Sequence, residues 1–439
     1  MTEAASVVVV GAGLAGMSVA IGYGTGAVVL ERDARPGGLV RTELKEGFWF
    51  DRVLHLLHFQ DPAAEFQLQS AVSTPLHMEA MPPDARVVTP KGKVPFPIQH
   101  NLGQLDPDAA VACLIGLFEV RDAKPGHDYA SVLRACFGEP LFELFFGPYN
   151  RKQWGTPLTR LAADRVLWNL HRPSLADALR AAIRPSEKTR VYNQRAVYPR
   201  PPANASLRGM EVLSCAMAGA VPDLRLAHEV RRLDPDTRIV RVRTAQAETD
   251  WRWEGALVST APLPDILGMC LDLPKELRDV RLPWNGVSSV ALRVRGRRPD
   301  AGAWRYFPEP DVVFTRLVFL HVFDPKLAPP HGWPLLAEVV WRGEDGPPEP
   351  EALIKWVIAD AERVGALAGG EVEGADVIVA APAYVRFEHG VDELVKGALS
   401  WLQARGIHPC GRYGRWEYSS MQHAVSEGLA LGRALRASR

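Results

Sequence analysis

Residues 6–16 constrain this chain more than any other stretch. Ser6-Val7-Val8-Val9-Val10 is a short β-branched run without polar alternation, the pattern of a strand buried on both faces. It runs straight into Gly11-Ala12-Gly13-Leu14-Ala15-Gly16; Met17 to Tyr23 then reads as a helix, and Ala27-Val28-Val29-Leu30 as a second buried strand ending at Glu31. A strand, glycine turn, helix and strand within about 30 residues is a βαβ crossover. Such a turn brings backbone close to a pyrophosphate, while the free N–H groups and positive dipole end of the helix face the anion. Glu31, about 20 residues beyond the first glycine, is placed to accept ribose hydroxyls. The competing reading is a tight turn followed by a solvated glutamate.

Composition narrows the partners. Lys and Arg total 51 against 51 Asp and Glu, and a polyanion binder normally carries a basic surplus, which counts against a nucleic-acid partner but leaves room for a local basic pocket for one small anion. A chain of 439 residues with 47% hydrophobic and 23% charged side chains is long enough for two or three domains or one composite body, and is neither disordered nor fibrous. Its 37 Gly and 36 Pro are too many for a helical bundle and too scattered for low complexity. Cys113, Cys136, Cys215, Cys270 and Cys410 stand far apart, with no C-x-x-C and no His at zinc-ligand spacing. No metal site is predicted, and reduced thiols suit a reducing compartment. The stretch MTEAASVVVVGAG carries an acidic residue where a signal peptide is basic, and no stretch supplies the about 18 uninterrupted apolar residues of a membrane span. A cytoplasmic protein without a membrane partner is expected.

Beyond residue 60 the buried β-branched runs thin out and helical segments appear at Pro107 to Glu119, Tyr129 to Phe137 and Pro173 to Ala182. Tyr198-Pro199-Arg200-Pro201-Pro202 reads as a link back. Strand patterns return at Leu224 to Val230, Ile239 to Thr244, Thr249 to Trp253 and Ala256 to Thr260; a second sheet is expected around 286–343, and a last strand near Ala380 to Phe387 precedes two helices. The fold class is therefore α/β. Residues 1–60, 200–275 and 405–439 form a discontinuous Rossmann-type dinucleotide-binding domain, 61–199 a helical domain, and 276–404 an antiparallel-sheet substrate domain.

Just after Glu31 comes a second glycine turn, Arg32-Asp33-Ala34-Arg35-Pro36-Gly37-Gly38-Leu39-Val40-Arg41-Thr42. It resembles the G-G-x-x-x-S/T element of the FAD family that includes amine oxidases, protoporphyrinogen oxidase, phytoene desaturase and UDP-galactopyranose mutase. Nicotinamide dehydrogenases generally lack that element. The resemblance implies FAD as cofactor and a glutathione reductase-like FAD domain. By it, Gly11, Gly13, Leu14, Ala15 and Gly16 face the pyrophosphate, Glu31 and Arg32 the adenosine, and Gly37, Gly38, Leu39, Val40 and Arg41 the pyrophosphate and ribityl chain. Ala256 to Leu263 resembles the strand and turn that re-enter the FAD domain, and Val230, within His228-Glu229-Val230, falls where the family touches the adenine.

Four further segments resemble the UDP-galactopyranose mutase branch. They are Pro148-Tyr149-Asn150-Arg151-Lys152-Gln153-Trp154, Val94-Pro95-Phe96-Pro97-Ile98-Gln99-His100-Asn101, Trp304-Arg305-Tyr306-Phe307-Pro308-Glu309 with Phe314-Thr315-Arg316, and Gly411-Arg412-Tyr413-Gly414 with Tyr418 and Met421. The resemblance implies that Asn150 and Trp154 belong to the sugar and nucleotide pocket, with Tyr306 as an aromatic wall. It assigns Arg316 and Tyr418 to a substrate pyrophosphate, and Arg412 and Met421 to the flavin. Those residue types suit a diphospho-sugar: a guanidinium offers forked donors to phosphate, and aromatic rings supply flat walls. Without the resemblance, Trp154 and Tyr306 read equally well as core aromatics.

His55 falls at the family's glycine-glycine-histidine loop beside the reactive edge of the flavin. Here the pair before it is Val53-Leu54, so the loop cannot reproduce backbone angles that only glycine tolerates. A lone histidine among leucines also reads as a core residue. Two tyrosines that the mutases place on the diphosphate are Phe323 and Val391 here. The second pyrophosphate arginine aligns with Asn169, with Arg165 and Arg172 nearby. Each missing contact removes about 1–3 kcal/mol, which predicts low affinity for UDP-galactose itself. The implied activity is ring isomerisation of a nucleotide sugar, in which N5 of FAD, reduced by an external reductant, attacks the anomeric carbon, His55 lies close by and Arg316 stabilises the departing diphosphate. Two other classes stay open: an oxidase or dehydrogenase of an amine or other organic substrate, and a flavin-binding scaffold without catalysis.

Overall fold

A computed structural model describes residues 2–58, 62–72, 74, 76–81, 84–163, 172–183, 196–300 and 302–438. Strand β1 (Thr2–Val10), helix α1 (Leu14–Tyr23) and strand β2 (Ala27–Leu30) form the crossover that opens the chain. Val7–Val10 lie opposite Ala27–Leu30 on one side and Ala256–Ser259 on the other, both parallel. Alternate residues serve opposite faces, as a strand requires. Val7 and Val9 enter a core with Met17, Val19 and Leu429; Val8 and Val10 enter another with Trp251, Ile266 and Leu402. Two cores explain why the run shows no polar alternation.

The full order of this sheet is Leu224–Arg225, β2, β1, Glu248–Ser259, Ile239–Arg243 and Glu229–Asp234, with Ile407–Pro409 also parallel beside Glu248–Ser259. The segments expected at Thr249 to Trp253 and Ala256 to Thr260 are one strand, whose register against β1 shifts between Ala5 and Val7.

A second sheet runs Gly370–Val385, Trp284–Gly296, Gly332–Arg342, Arg316–Phe319, Trp304–Tyr306, Ala85–Thr89 and Gly92–Pro95. Two expectations need correction here. The hairpin Ala85–Pro95 falls inside the stretch read as helical, yet it extends this sheet, and its pairing with Trp304–Tyr306 is parallel in an otherwise antiparallel array. Tyr198, read as part of a proline-rich link, is fully buried in the strand Ala196–Pro199, which pairs with Leu57–His58 and Met78–Ala80. Helices Pro107–Glu119, Tyr129–Leu141, Gly147–Trp154 and Leu175–Ile183 supply the helical part.

The last helix, Met421–Ala437, lies along α1 with its backbone in close approach. A Cβ on Gly428 would sit 2.6 Å from the Ala15 carbonyl oxygen, and one on Gly432 would sit 2.2 Å from that of Val19. Small residues four apart let the two helices touch backbone to backbone. That contact fixes where the N-terminus of the last helix, capped by Ser420, points. Among the described residues no helix is long and apolar enough to cross a membrane, and no three His, Cys, Asp or Glu side chains group to hold a metal ion.

Candidate active site

The carboxyl ends of β1, β2 and Glu248–Ser259 meet at one edge of the first sheet, where open α/β sheets bind their ligands. The glycine turn lies there. A Cβ on Gly16 would stand 2.0 Å from the Gly11 carbonyl oxygen, so only glycine lets α1 begin this close to the turn. At Gly13 an added Cβ meets nothing within 4 Å. Gly13 is also the N-cap of α1, with no side-chain cap and no acidic residue in the first turn, so the first N–H groups and the dipole end remain for an anion. The second glycine turn abuts the first: the Gly37 N–H donates to the Ala12 carbonyl at 2.8 Å. The Glu31 carboxylate accepts the Ala12 and Asp33 N–H groups at 2.7 and 2.9 Å and keeps lone pairs for hydroxyl donors. Buried Arg41 pairs with Asp33 at 2.7 Å, and its Nε has no hydrogen-bond partner among the described residues. An open glycine, an uncapped helix start and an unpartnered guanidinium nitrogen fit a dinucleotide pyrophosphate.

A cavity of about 900 Å³ runs from this cradle to the second sheet. Gly11, Gly13, Leu14, Ala15, Glu31 and Arg32 line its near end, with Gly37, Gly38, Leu39, Val40, Arg41 and Val230. His55 and Met421 lie along it, and Tyr306, Arg316, Arg412 and Tyr418 line its far end. The structure thus brings together nearly all the residues singled out in the sequence. Gly16 instead packs behind the turn. Asn150 and Trp154 do not reach the cavity. The Asn150 amide donates to the Phe146 carbonyl at 2.8 Å and accepts from the Tyr129 hydroxyl at 3.2 Å; Trp154 is buried edge-on to Tyr384, which itself lines the cavity. Lys152, from the same segment, donates to the carbonyls of Phe307, Glu309 and Phe314 at 2.8, 2.9 and 2.8 Å, and burial lowers its pKa to about 8. That segment ties the helix to the stretch between Tyr306 and Arg316, which line the cavity, and does not itself form the wall.

At the far end Arg316 and Glu338 face each other across neighbouring strands in direct register. Arg316 Nε donates to Glu338 Oε2 at 2.8 Å, and its Nη2 donates to the same oxygen. Burial opposes the Arg316 charge, but Glu338 more than restores it, and the guanidinium stays protonated. Tyr306 lies opposite Arg316 on the next strand, against Phe96, with ring centroids 5.0 Å apart. Arg412 donates to the Ser419 and Ala383 carbonyls at 3.2 and 3.1 Å and sits 4.3 Å over the Tyr418 ring. Burial pushes the Tyr384 hydroxyl up to about 12, so it remains a donor. The far end is therefore a wall of tyrosine hydroxyls and guanidinium groups suited to phosphate oxygens.

His55 is held neutral. Burial first, then the Arg412 and Arg316 charges, lower its pKa from 6.5 to about 4. Because the folded value lies below the unfolded one, the unfolded chain takes up the proton first, and the fold loses stability as pH falls from 6.5 toward about 4. His55→Asn removes this contribution, so between those pH values the variant loses less stability than the parent in urea melts. Equal losses would show an imidazole that titrates freely.

Phe323 and Val391, read as the counterparts of two diphosphate tyrosines, are not on the cavity. Phe323 stacks on Tyr198 at 5.2 Å in the core, and Val391 starts the helix Val391–Gln403. The cavity takes Tyr384 and Tyr413 instead, neither of them assigned a role from sequence. Arg172 points outward to the Val120 carbonyl at 2.6 Å; Arg165 and Asn169 lie outside the described residues. Glu338 was also missed. Its signal is a single carboxylate inside the apolar strand Gly332–Arg342.

Residues 9–67 match the family model of the NAD(P)-binding Rossmann-like domain. Over the whole chain, the crystal structure of reduced UDP-galactopyranose mutase superposes with a TM-score of 0.89 at 20% identity, covering 99% of this chain and 96% of that one. The chain has the fold of that mutase. A candidate protoporphyrinogen oxidase from an Exiguobacterium species matches at TM-score 0.71 and 15% identity over 100% of both chains. Cyclohexylamine oxidase from Brevibacterium oxydans matches at 0.64 and 16% over 99% of both. One architecture thus spans a mutase and oxidases, and identities this low carry the fold alone.

Proposed function

We propose that this protein binds FAD and isomerises the ring of a nucleotide-diphosphate sugar. The observation that carries the reading is continuity: one cavity joins the pyrophosphate cradle at Gly13 to the arginine and tyrosine wall at Arg316 and Tyr418. The fold shared with UDP-galactopyranose mutase over nearly the full length supports it. Bound and reduced by an external reductant, FAD would supply a nucleophilic ring nitrogen for the anomeric carbon. The chain's part is to hold and to exclude. Gly13 and the start of α1 take the cofactor pyrophosphate, and Glu31 accepts ribose hydroxyls. Arg316, with Tyr306 and Tyr418, offers donors to the departing diphosphate, whose charge grows as the sugar bond breaks. Neutral His55 lines the space between without adding charge.

The test is direct. The purified protein is expected to carry a flavin spectrum and, after dithionite reduction, to interconvert pyranose and furanose forms of at least one member of a nucleotide-sugar panel, followed by chromatography. No turnover of any sugar nucleotide by the reduced protein would sink the reading. A second reading, oxidation of an apolar organic substrate, is favoured by the apolar patch of Val53, Val287, Ala380 and Ala383 on the cavity wall. Substrate-driven flavin bleaching with release of hydrogen peroxide would select it.

A further inference from the structure

The strand Gly332–Arg342 carries one carboxylate among apolar neighbours, and Glu338 is only 2% exposed. A charge at the centre of a sheet is costly unless both oxygens are satisfied. Here they are satisfied by groups from different parts of the chain. Oε2 takes Arg316, its direct cross-strand partner. Oε1 accepts the Leu54 N–H at 2.7 Å, across 284 positions of sequence. The Glu338 backbone is itself fixed, since its carbonyl accepts both the N–H and the hydroxyl of Thr315, at 2.9 and 3.1 Å. The carboxylate therefore has little freedom to swing toward one partner.

The two partners matter because of where they stand. Arg316 lines the far end of the cavity, and Leu54 lies in the Val53–Leu56 loop with His55, also on the cavity wall. Arg316 alone could neutralise the carboxylate, yet a second bond is made to a loop of the first domain. We infer that Glu338 is a positioning residue that holds the His55 loop and Arg316 in one fixed relation, so that an anion bound at Arg316 stiffens the loop. This rests on the reading of the far end as a diphosphate site, but the loop bond can be tested without it.

Hydrogen exchange read by mass spectrometry over residues 52–57 supplies the test, on the full chain with and without uridine diphosphate. Arg316→Ala/Glu338→Gln keeps an acceptor for the Leu54 N–H, and Arg316→Ala/Glu338→Ala removes it; neither leaves a buried charge unpaired. Exchange in the loop is expected to be at least tenfold faster in the alanine pair than in the glutamine pair, with the strand Trp284–Gly296 equally protected in both. Equal loop exchange in the two pairs, or loss of protection throughout the sheet, overturns the inference. With saturating uridine diphosphate, loop exchange in the parent slows about threefold or more and that of the alanine pair does not change. Binding without any slowing in the parent overturns the coupling, whereas no binding at all counts against the diphosphate reading and leaves the loop comparison to decide the positioning role.

Discussion

Gly13→Asp is expected to yield a protein that folds at least as stably as the apo parent and emerges from purification without flavin. The two halves of that result come from one position. Gly13 has φ −75° and ψ 178°, an extended conformation open to any residue, and an added Cβ there meets nothing within 4 Å. It is the N-cap of α1, where aspartate is among the preferred residues because its carboxylate accepts the free N–H groups of the first turn. The gain over glycine is a few tenths of a kcal/mol. The same carboxylate occupies the ground that a pyrophosphate needs. Two unit charges about 4 Å apart at an effective dielectric of 20 repel by about 4 kcal/mol, roughly a thousandfold in affinity. Thermal melts of the apo forms and the 450 nm absorbance of the purified proteins check the two halves. A yellow Gly13→Asp protein would place the pyrophosphate elsewhere, and a poorly folded one would show that the space around Gly13 is not open.

Arg316→Ala is expected to cost about 3–5 kcal/mol of stability, because it strands the Glu338 carboxylate in the sheet without its partner. Arg316→Ala/Glu338→Gln recovers most of the loss: the amide carries no charge and still accepts the Leu54 N–H. A stranded carboxylate also holds a proton more readily in the folded state than in the unfolded state. The sign follows directly, and the deficit of Arg316→Ala shrinks as pH falls from 7 to 5. Urea melts of the parent, single and double variants at both pH values check this. If the double variant is as unstable as the single one, the loss comes from packing and not from charge. In both variants uridine diphosphate should bind more weakly by about 1.5–3 kcal/mol, the value of a hydrogen bond to a charged group.

How much could be read without coordinates depended on how local each feature is. The β1, α1 and β2 unit was plain because its period, glycine turn and acidic end fall within a short window and each supports the others. The place of the Ala85–Pro95 hairpin was not, because its partner Trp304–Tyr306 lies far along the chain and nothing local specifies that pairing. Asn150 and Trp154 were placed in the pocket by residue type and motif, but the helix Gly147–Trp154 turns the Asn150 amide onto its own preceding turn. Tyr384 falls inside the strand expected near Ala380 to Phe387, but its place on the cavity wall depends on how that strand packs in the sheet, which its own apolar pattern does not specify. Glu338 illustrates the limit of reading one strand alone. Its role appears only once Arg316 stands opposite it and Leu54 comes within reach.

The seam between α1 and the last helix bears on how the protein is made. The dinucleotide sheet takes strands from residues 2–30, then from 224–259, and finally Ile407–Pro409, after which Met421–Ala437 seals α1. A ribosome delivers the first strand early and the last helix some four hundred residues later. Until then the face of α1 that receives Gly428 and Gly432 lacks that partner, and Ser420 and Met421 are missing from the cavity wall. Contacts this distant in sequence close slowly and leave apolar surface exposed during the wait. The cavity wall is therefore complete only once the last helix has been made and packed on α1.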